Sequence, residues 1–262
     1  MFDLIVSGDT VVTPQGVGAF DICIKDGRIA AMATPGEFGA DDAGRVIDAT
    51  GKIVMPGGID PHIHSYWIIP VPGGEPTMSD PPDVVSRAAI HGGTTTLIDF
   101  ATWAEGRTIE ETIAMRNQDW SGKCYTDYAY HIMLQGKIPP DLLGQLAEAI
   151  QDGYPSIKIF TTDITPSREG RRIDHGDIWE IFKVISKEGG IGAIHAEDNE
   201  IVMHMYEVLE REGRTGFENM AEVHNAMSED LSFRRIIRLA EHVEGTPLYM
   251  MHVSAASGVA AI

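Results

Sequence analysis

The sequence of 262 residues predicts an α/β fold: a TIM-like (β/α)8 barrel that is incomplete in this chain and follows a small N-terminal β-sandwich segment. Two observations lead to this prediction. Up to about Lys52 the chain consists of short apolar runs separated by turn residues, whereas after Pro56 strand-like runs alternate with helix-like segments. Alternation of the second kind is typical of βα units and a parallel sheet. We therefore expect two domains, over residues 1–52 and 53–262.

The N-terminal segment, residues 1–52, is predicted to be built from short strands. The strand-like runs are FDLIVSG, TVVTPQG, DICIKDGRIAAM and RVIDATGKIV. Asp26 and Gly27 separate two apolar alternations, and this pair tolerates the positive φ values that a type I′ turn requires. The segment is therefore expected to contain a β-hairpin within a small β-sandwich.

The second segment, residues 53–262, is predicted to contain about six βα units. Strands are expected near residues 53–58, 95–100, 126–133, 156–160, 191–195 and 248–253. Helices are expected near residues 81–91, 108–118, 140–151, 176–188 and 199–211. A barrel without its last two strands would expose two sheet edges and its core. We therefore expect either that the sequence is part of a longer polypeptide or that another chain completes the barrel.

The composition of the sequence indicates which classes of molecule the protein can bind. The apolar fraction of 43% and the charged fraction of 23% are typical of a soluble globular protein. The formal net charge of −19 disfavours nucleic acid and anionic membranes as partners, because both would repel the protein. The two cysteines, Cys23 and Cys124, predict neither a disulfide framework nor a thiolate zinc site. With no signal peptide or membrane span in evidence, a cytoplasmic location is expected.

Histidines and one lysine lie at the ends of the predicted strands. His62 and His64 follow the first strand, Lys158 lies in the fourth, His195 ends the fifth and His252 lies near the end of the sixth. In a (β/α)8 barrel the carboxyl ends of the strands form one mouth, where the chemistry takes place. Because neutral imidazole is a common ligand for zinc and similar metals, this pattern predicts a metal site at that mouth.

Six stretches together resemble a known family. They are PGGIDPHIHSYW, AAIHGGTTTLIDF, DYAYHIM, SIKIF, AIHAEDNE and MHVSAAS. They closely resemble the cyclic amidohydrolases, specifically the hydantoinase and dihydropyrimidinase branch of the amidohydrolase superfamily, and the resemblance runs from residue 1 to residue 262. It implies a β-sandwich together with a TIM-like barrel. It also implies a homotetramer, which is the typical assembly of the relatives.

The resemblance also implies a site with two zinc or similar divalent ions. His62 and His64 would bind the more buried ion, and His195 and His252 the second. Lys158, carboxylated by CO2 to a carbamate, would bridge the two ions. A water or hydroxide shared by both metals would attack the ring amide carbonyl, since two-metal sites polarise the carbonyl and lower the pKa of the attacking water.

Two departures from the family pattern concern the catalytic machinery. The family's last metal ligand and proton shuttle is an aspartate after the eighth strand, and no aspartate of this chain can be assigned that role. Many relatives also place a tyrosine five residues after the bridging lysine, where it polarises the scissile carbonyl, whereas this sequence has Asp163. A carboxylate cannot stabilise a developing oxyanion as a phenol does. Either another donor substitutes or the substrate class differs.

Candidate substrate-binding residues are Tyr66, Trp67 and Asp163. The loop SYWIIPVPGGEP is unusually apolar, and Tyr66 and Trp67 are expected to line a pocket for a hydrophobic ring substituent. Dihydroorotases carry an arginine at the position of Tyr66, so dihydroorotate is disfavoured as a substrate. The segment TPSREGRRID, residues 165–174, is interpreted as a solvated loop, with a lid whose arginines meet a substrate carboxylate as the alternative.

Other polar residues receive structural interpretations. His131 is expected to be a hydrogen-bonded core histidine rather than a ligand. Asp60, Asp99 and Glu197 are expected to cap turns or to hold the ligating groups. Histidines in helical or loop contexts are expected at the surface: His91, His175, His204, His224 and His242.

The sequence thus predicts a binuclear metal-dependent hydrolase that opens a cyclic amide such as a hydantoin, a dihydropyrimidine or a related imide. One alternative is a non-catalytic, dihydropyrimidinase-related structural protein, which would have lost metal ligands. The other is an allantoinase-like amidohydrolase with a different ring as substrate. Small cyclic amides and further copies of the chain are the expected partners.

Overall fold

The structure is a computed structural model that describes residues 1–69, 71 and 74–262. It divides into two compact units, Met1–Gly58 and Ile59–Ile262. The sequence prediction places the domain boundary between residues 52 and 53. Each unit has its own sheet and its own hydrophobic core.

The first unit contains one mixed sheet of five strands. The strands are β1 (Leu4–Thr13), β2 (Gly16–Lys25), β3 (Arg28–Ala33), β4 (Val46–Asp48) and β5 (Ile53–Val54). Strand β1 pairs antiparallel with β2, β2 pairs antiparallel with β3, and both β4 and β5 pair parallel with β1. The second layer that would make a β-sandwich stays a prediction.

The turn between β2 and β3 has the predicted chemistry. Asp26 and Gly27 adopt φ values of 51° and 71°. Both residues of a type I′ turn require positive φ, which aspartate tolerates and glycine adopts without steric cost. The predicted hairpin is therefore confirmed. Its strands bury Cys23 and Ala33 in the core of this unit.

The second unit is built on a parallel sheet. Its strands are β6 (Gly58–Asp60), β9 (Thr94–Thr102), β10 (Asp127–Met133), β11 (Ser156–Phe160), β12 (Ile191–His195) and β13 (Leu248–Met250), and a separate pair is formed by β7 (Ile68–Ile69) and β8 (Thr77–Met78). The strand order is β13-β12-β11-β10-β9-β6, so neighbours in the sheet follow their order along the chain. The sheet is curled into a half barrel, and closure into a full TIM barrel stays a prediction.

Helices connect the strands of this sheet. They are α1 (Pro82–His91), α2 (Ile109–Trp120), α3 (Leu142–Gln151), α4 (His175–Glu188), α5 (Asn199–Arg211), α6 (Met220–Val223), α7 (Ala226–Glu241) and α8 (Ala256–Val259). The five predicted helices all occur. Helix α7 has no counterpart among them.

Local chemistry explains where two of these helices begin and end. The Thr108 hydroxyl accepts a hydrogen bond from the Glu111 amide, and the Glu111 carboxylate accepts one from the Thr108 amide, which forms a capping box at the start of α2. Helix α4 ends at Gly189, whose φ of 78° is left-handed. Apolar faces of these helices pack on the outer face of the sheet in the main core.

Parallel pairing brings the carboxyl ends of the strands to one edge. In the register of β11 and β12, Lys158 lies beside Ala193 and Phe160 beside His195. In the register of β10 and β11, Met133 lies beside Lys158. The residues that end these strands therefore lie close together, as parallel sheets of this kind require.

In the part of the chain that the structure describes, no helix combines the length and the apolar character needed to span a bilayer.

Gly190 tests how closely the second unit is packed. A Cβ atom at this position would lie 2.8 Å from the Pro155 carbonyl oxygen and 2.9 Å from Cδ1 of Ile150. Gly190→Ala is therefore expected to lower the free energy of unfolding by about 1–3 kcal/mol, because a backbone atom cannot move aside cheaply. Gly144→Ala is the matched control, since nothing lies within 4 Å of its Cβ position in α3.

The control is expected to raise the free energy of unfolding by about 0.5–1 kcal/mol, because alanine is the better helix former. Chemical denaturation of both variants measures the difference. Equal effects of the two substitutions would contradict the packing described for Gly190.

Candidate functional site

Four of the predicted ligands come together at the carboxyl edge of the sheet. The ring centroids of His62 and His64 are 5.2 Å apart, those of His62 and His252 are 5.5 Å apart, and those of His195 and His252 are 4.5 Å apart. We call these four residues the histidine cluster. The ring of Phe100 supports it from below, 4.9 Å from His62 and 4.6 Å from His64. His64 and His252 remain partly open to solvent.

Lys158 lies beneath the histidine cluster and is almost fully buried, with 2% of its surface exposed. Its ammonium group donates to Sδ of Met251 at 2.9 Å and lies 4.8 Å from the ring centroid of Phe160. No carboxylate of the described residues forms a salt bridge with it. Burial, reinforced by the charge of Arg171, lowers the pKa of Lys158 to about 7. A large fraction of this amine is therefore neutral near pH 7.

The histidines are neutral as well. Burial and the positive charge of Lys158 lower the pKa of His62 and of His64 to about 4. Burial, followed by the charges of His195 and Lys158, lowers the pKa of His252 to about 3. Each ring therefore carries a free nitrogen lone pair at neutral pH, which is the form that binds metals.

A carboxylate orients the third histidine of the cluster. Oε2 of Glu197 lies 2.7 Å from Nε2 of His195, and Oε1 lies 2.7 Å from Nδ1 of His224. Burial alone would raise the pKa of Glu197, but hydrogen bonds from the two imidazoles hold it below its usual range. Because the carboxylate accepts a hydrogen bond from Nε2–H of His195, the Nδ1 atom of that ring keeps a free lone pair.

The prediction that His224 lies at the surface is wrong. His224 is half-buried and also contacts the hydroxyl of Tyr206, 3.3 Å from its Nε2. The short helix α6 turns the chain so that His224 reaches Glu197, a contact across 27 residues that no sequence pattern marks. His175 is also half-buried, whereas His91, His204 and His242 are exposed as predicted.

Asp99 supports the other side of the histidine cluster. Its carboxylate is fully buried and accepts hydrogen bonds from the indoles of Trp67 and Trp120, each at 3.2 Å, and from the Phe100 amide at 2.7 Å. Arg116 forms a salt bridge with it. Burial raises the pKa of Asp99, and the Arg116 guanidinium opposes that rise. The sequence predicts that Asp99 caps a turn or holds the ligating groups, whereas its carboxylate bonds to residues that adjoin the histidines, such as Trp67 and Phe100.

His131 is saturated with hydrogen bonds and is not a candidate ligand. Its Nδ1 lies 2.8 Å from the Ser156 hydroxyl and its Nε2 lies 2.8 Å from the Pro61 carbonyl oxygen. Only an N–H can satisfy the carbonyl, so Nδ1 accepts from the hydroxyl. His131 is the hydrogen-bonded core histidine that the sequence predicts.

The structure places Trp67 beside the cluster and Tyr66 further out. The ring centroid of Trp67 lies 4.7 Å from that of His64. Tyr66 is 46% exposed and has a φ of 56°. Both line an open cavity of about 570 Å³. Three residues of the predicted apolar loop, 70, 72 and 73, lie outside the described residues.

Asp163 acts on the loop that follows β11. Its Oδ1 accepts from the Arg172 amide at 2.9 Å, and its own amide donates to Oδ1 of Asn199 at 2.8 Å. Asp163 is buried, with 7% of its surface exposed, and its hydrogen bond to Arg172 joins the start of the loop after β11 to residue 172. A substrate-binding role for Asp163 stays a prediction.

The donor set of the site fits divalent metal ions by its chemistry. Neutral imidazoles converge on an amine that is readily deprotonated, and CO2 adds only to a neutral amine. Among the described residues, no group of three or more His, Cys, Asp or Glu side chains is arranged to hold a metal ion. A carbamate formed on Lys158 would add oxygen ligands to the nitrogen ligands of the imidazoles.

Comparison with known proteins gives consistent matches. A model described as "Amidohydrolase family" matches residues 45–117. The chain is similar to a D-hydantoinase of Streptomyces coelicolor, with 33% identity over 258 residues that cover 98% of this chain and 53% of the relative. An allantoinase of Bacillus licheniformis is 30% identical over 262 residues, covering 98% of this chain and 55% of that relative.

Solved structures agree with these relatives. A D-hydantoinase crystal structure superimposes with a TM-score of 0.86 and 29% identity, covering 100% of this chain and 54% of the other. A dihydropyrimidinase from Brevibacillus agri gives a TM-score of 0.85 and 28% identity, with 100% and 54% coverage. The chain spans about half the length of the curated relatives it matches.

The curled parallel sheet, the histidines at its carboxyl edge and these matches define an amidohydrolase-type protein. The chain belongs to the hydantoinase and dihydropyrimidinase branch of the amidohydrolase superfamily.

Asp99→Asn tests the buried carboxylate that supports the cluster. The substitution is expected to lower the free energy of unfolding by about 3 kcal/mol, because it removes the buried charge that pairs with Arg116 and turns an amide NH2 group towards donors that the carboxylate satisfies. Asp119→Asn is the control: Asp119 contacts the same guanidinium at 2.8 Å but is 33% exposed, and its loss is expected to change stability by less than about 1 kcal/mol. Urea denaturation compares the two, and similar losses would contradict the role of Asp99.

Proposed function

We propose that this protein is a binuclear metal-dependent hydrolase that opens a cyclic amide ring, such as a hydantoin, a dihydropyrimidine or a related imide. One observation carries the proposal: four neutral imidazoles converge over a buried lysine that has no carboxylate partner, at the carboxyl edge of a parallel sheet. A buried lysine without a counter-ion is costly unless its amine is neutral or modified.

Each residue of the site has a role in this proposal. His62 and His64 hold one divalent ion and His195 and His252 the other, with zinc as the metal that imidazole donors favour. The neutral amine of Lys158 attacks CO2: an N–C bond forms as one C=O π bond breaks, and the nitrogen releases one proton. The product is a carbamate whose single negative charge is shared by two oxygens, and these oxygens would provide ligands for both ions. When bound, the ions supply carbonyl polarisation and a more acidic water.

The surrounding side chains prepare this site. Glu197 accepts a hydrogen bond from Nε2–H of His195, which leaves Nδ1 free to bind a metal ion. Trp67, held by Asp99 and by the Ser79 hydroxyl at 2.8 Å, forms an apolar wall beside His64. That wall excludes water from one side of the substrate ring and favours substrates with hydrophobic substituents.

The activity belongs to the complete protein. Because the chain covers about half of its relatives, the aspartate that the resemblance places after the eighth strand has no counterpart in these residues. The group that carries a proton to the leaving amide nitrogen is therefore expected elsewhere in the assembly. Homo-oligomerisation and a cytoplasmic location are part of the same proposal.

A second candidate is an allantoinase-type activity. The similarity to the Bacillus licheniformis allantoinase covers the chain as fully as the similarity to D-hydantoinase does. Asp163 also stands where a tyrosine is expected for hydantoin and dihydropyrimidine substrates. A panel of hydantoin, dihydrouracil and allantoin, assayed with the complete protein, distinguishes the two candidates.

Lys158→Met tests the metal-bridging role. Methionine matches the volume and burial of lysine but cannot form a carbamate, so the variant is expected to lose bound metal and more than about 100-fold in kcat/KM. Lys187→Met, at an exposed position of α4, is the control and should keep both. Elemental analysis and hydrolysis assays on the complete protein give the two readouts. A folded wild-type protein that binds no metal would instead support the non-catalytic structural alternative.

Glu197→Gln tests the orientation of His195. The neutral amide keeps the shape of the side chain but weakens its hold on the imidazole proton, so the affinity for the second metal ion is expected to fall about 10–100-fold. Equilibrium dialysis at increasing zinc concentrations measures occupancy independently of turnover. Glu207→Gln, on the neighbouring helix α5, is the control. Unchanged occupancy in Glu197→Gln would count against a role in ligand positioning.

A further inference from the structure

Arg171 is a partly buried cation beside the site, and among the described residues it forms no salt bridge. Its guanidinium carbon lies 5.0 Å from the ring centroid of Phe160, and the carboxylate of Asp163 is near enough to stabilise its charge without pairing with it. The chain carries 39 acidic residues against 20 basic ones, so an unpaired arginine in a sheltered position needs an explanation. Partial burial of a charge without a counter-ion is unfavourable, and a bound ligand of opposite charge would offset that cost.

The position of Arg171 relative to the site follows from Phe160. The Phe160 ring packs with Phe100 and Met251 on the inner face of the half barrel and lies 5.4 Å from the ring of His195. The ammonium group of Lys158 lies 4.8 Å from the centroid of the same ring. Arg171 therefore lies at the mouth of the site.

The backbone at Arg171 is fixed on both sides. Its carbonyl oxygen accepts from the Gly136 amide at 3.0 Å, and the following amide, of Arg172, donates to the buried carboxylate of Asp163 at 2.9 Å. A Cβ at Gly136 would lie 3.0 Å from the Gly170 carbonyl oxygen, so the two loops pack closely. The backbone that carries the guanidinium is thus fixed before any ligand arrives, which reduces the ordering cost of binding.

Space for a ligand lies beside this group. A cavity of about 650 Å³ is bordered by the cations Arg168 and Arg171, by Trp103 and Gln135, and by the acidic side chains of Glu105 and Glu169. The two guanidinium groups and the Gln135 amide provide hydrogen-bond donors, and the indole provides an apolar wall. Planar guanidinium groups match the two oxygens of a carboxylate.

We propose that Arg171 binds a carboxylate on a substituent of the substrate ring, so that the preferred substrates are cyclic amides with an acidic side arm. The proposal rests on the proposed function for the ring chemistry, but the anion site itself stands on Arg171 and its loop. In this proposal Asp163 does not contact the substrate ring. Its hydrogen bond to the Arg172 amide fixes the loop that carries Arg171.

A matched pair of ligands tests the proposal. Hydantoin-5-acetic acid carries the carboxylate, and hydantoin-5-acetamide is its neutral counterpart of nearly equal size. Isothermal titration with the complete, metal-loaded protein is expected to show about 10–100-fold tighter binding of the acid, and kcat/KM should show the same preference. The preference should shrink as salt concentration rises.

Arg171→Gln is expected to abolish this preference and to leave binding of the acetamide within about twofold. Arg171→Lys should retain part of it, because the charge stays but the two-pronged geometry is lost. Arg172→Gln is the control, since it removes a neighbouring exposed charge of the same sign. Equal loss in Arg171→Gln and Arg172→Gln would reduce the effect to general electrostatics and overturn the proposal.

Other outcomes separate this proposal from the proposed function. If the metal-loaded protein opens no cyclic amide, the proposed function fails, while tighter binding of the acid that depends on Arg171 would still support the anion site. If the wild-type protein binds and hydrolyses both compounds equally, the anion site is refuted and the hydrolase stands. A loss of metal in Arg171→Gln without a change in preference would assign Arg171 to the Lys158 carbamate and would also refute the proposal.

Discussion

The Asp99 carboxylate is buried without exposure to solvent, and the position of the first two histidines depends on it. Burying a lone carboxylate is unfavourable by several kcal/mol, so the protein must surround it with donors. Those donors come from separate elements: the loop after β6, strand β9 and helix α2. Satisfying this one charge therefore ties together the segment that carries His62 and His64 and the helix behind it. The adjacent residue, Phe100, places its ring under both imidazoles.

Lys158 presents the opposite situation. It is almost as buried as Asp99, but its surroundings offer a thioether and two aromatic rings in place of a carboxylate. Such an environment stabilises the neutral amine, and neutral amines react with electrophiles such as CO2. The histidines near it are neutral for a related reason, because burial opposes their protonation and any positive charge that Lys158 retains opposes it further. The side chains of the site are thus uncharged imidazoles and an amine of which a large fraction is neutral. Such groups can accept cations and a carbamate, as the proposed function requires.

The residues around the ligands divide into two supports. Glu197 and His224 hold the His195 side, and Asp99, Trp67 and Arg116 hold the His64 side. A third anchor, Asp163, shapes the loop after β11 instead of entering the ring pocket. If the proposed metal site exists, a substitution at one of these supports is expected to change its metal affinity, since the orientation of an imidazole depends on the group that holds its second nitrogen.

The sequence by itself determined the alternation of strands and helices, the Asp26-Gly27 hairpin and the position of four histidines and Lys158 near the ends of strands, because these depend on local periodicity, turn chemistry and spacing along a strand. The metal-binding roles of these five residues come from the family resemblance and stay a prediction. The sequence also indicated that Glu197 holds a candidate ligand. Only the tertiary structure decided that His224 contacts Glu197, that Asp163 anchors a loop and that Arg171 lies against the ring of Phe160. Those features arise from contacts between segments far apart in the chain, and residue types alone do not specify which distant side chain satisfies a buried charge.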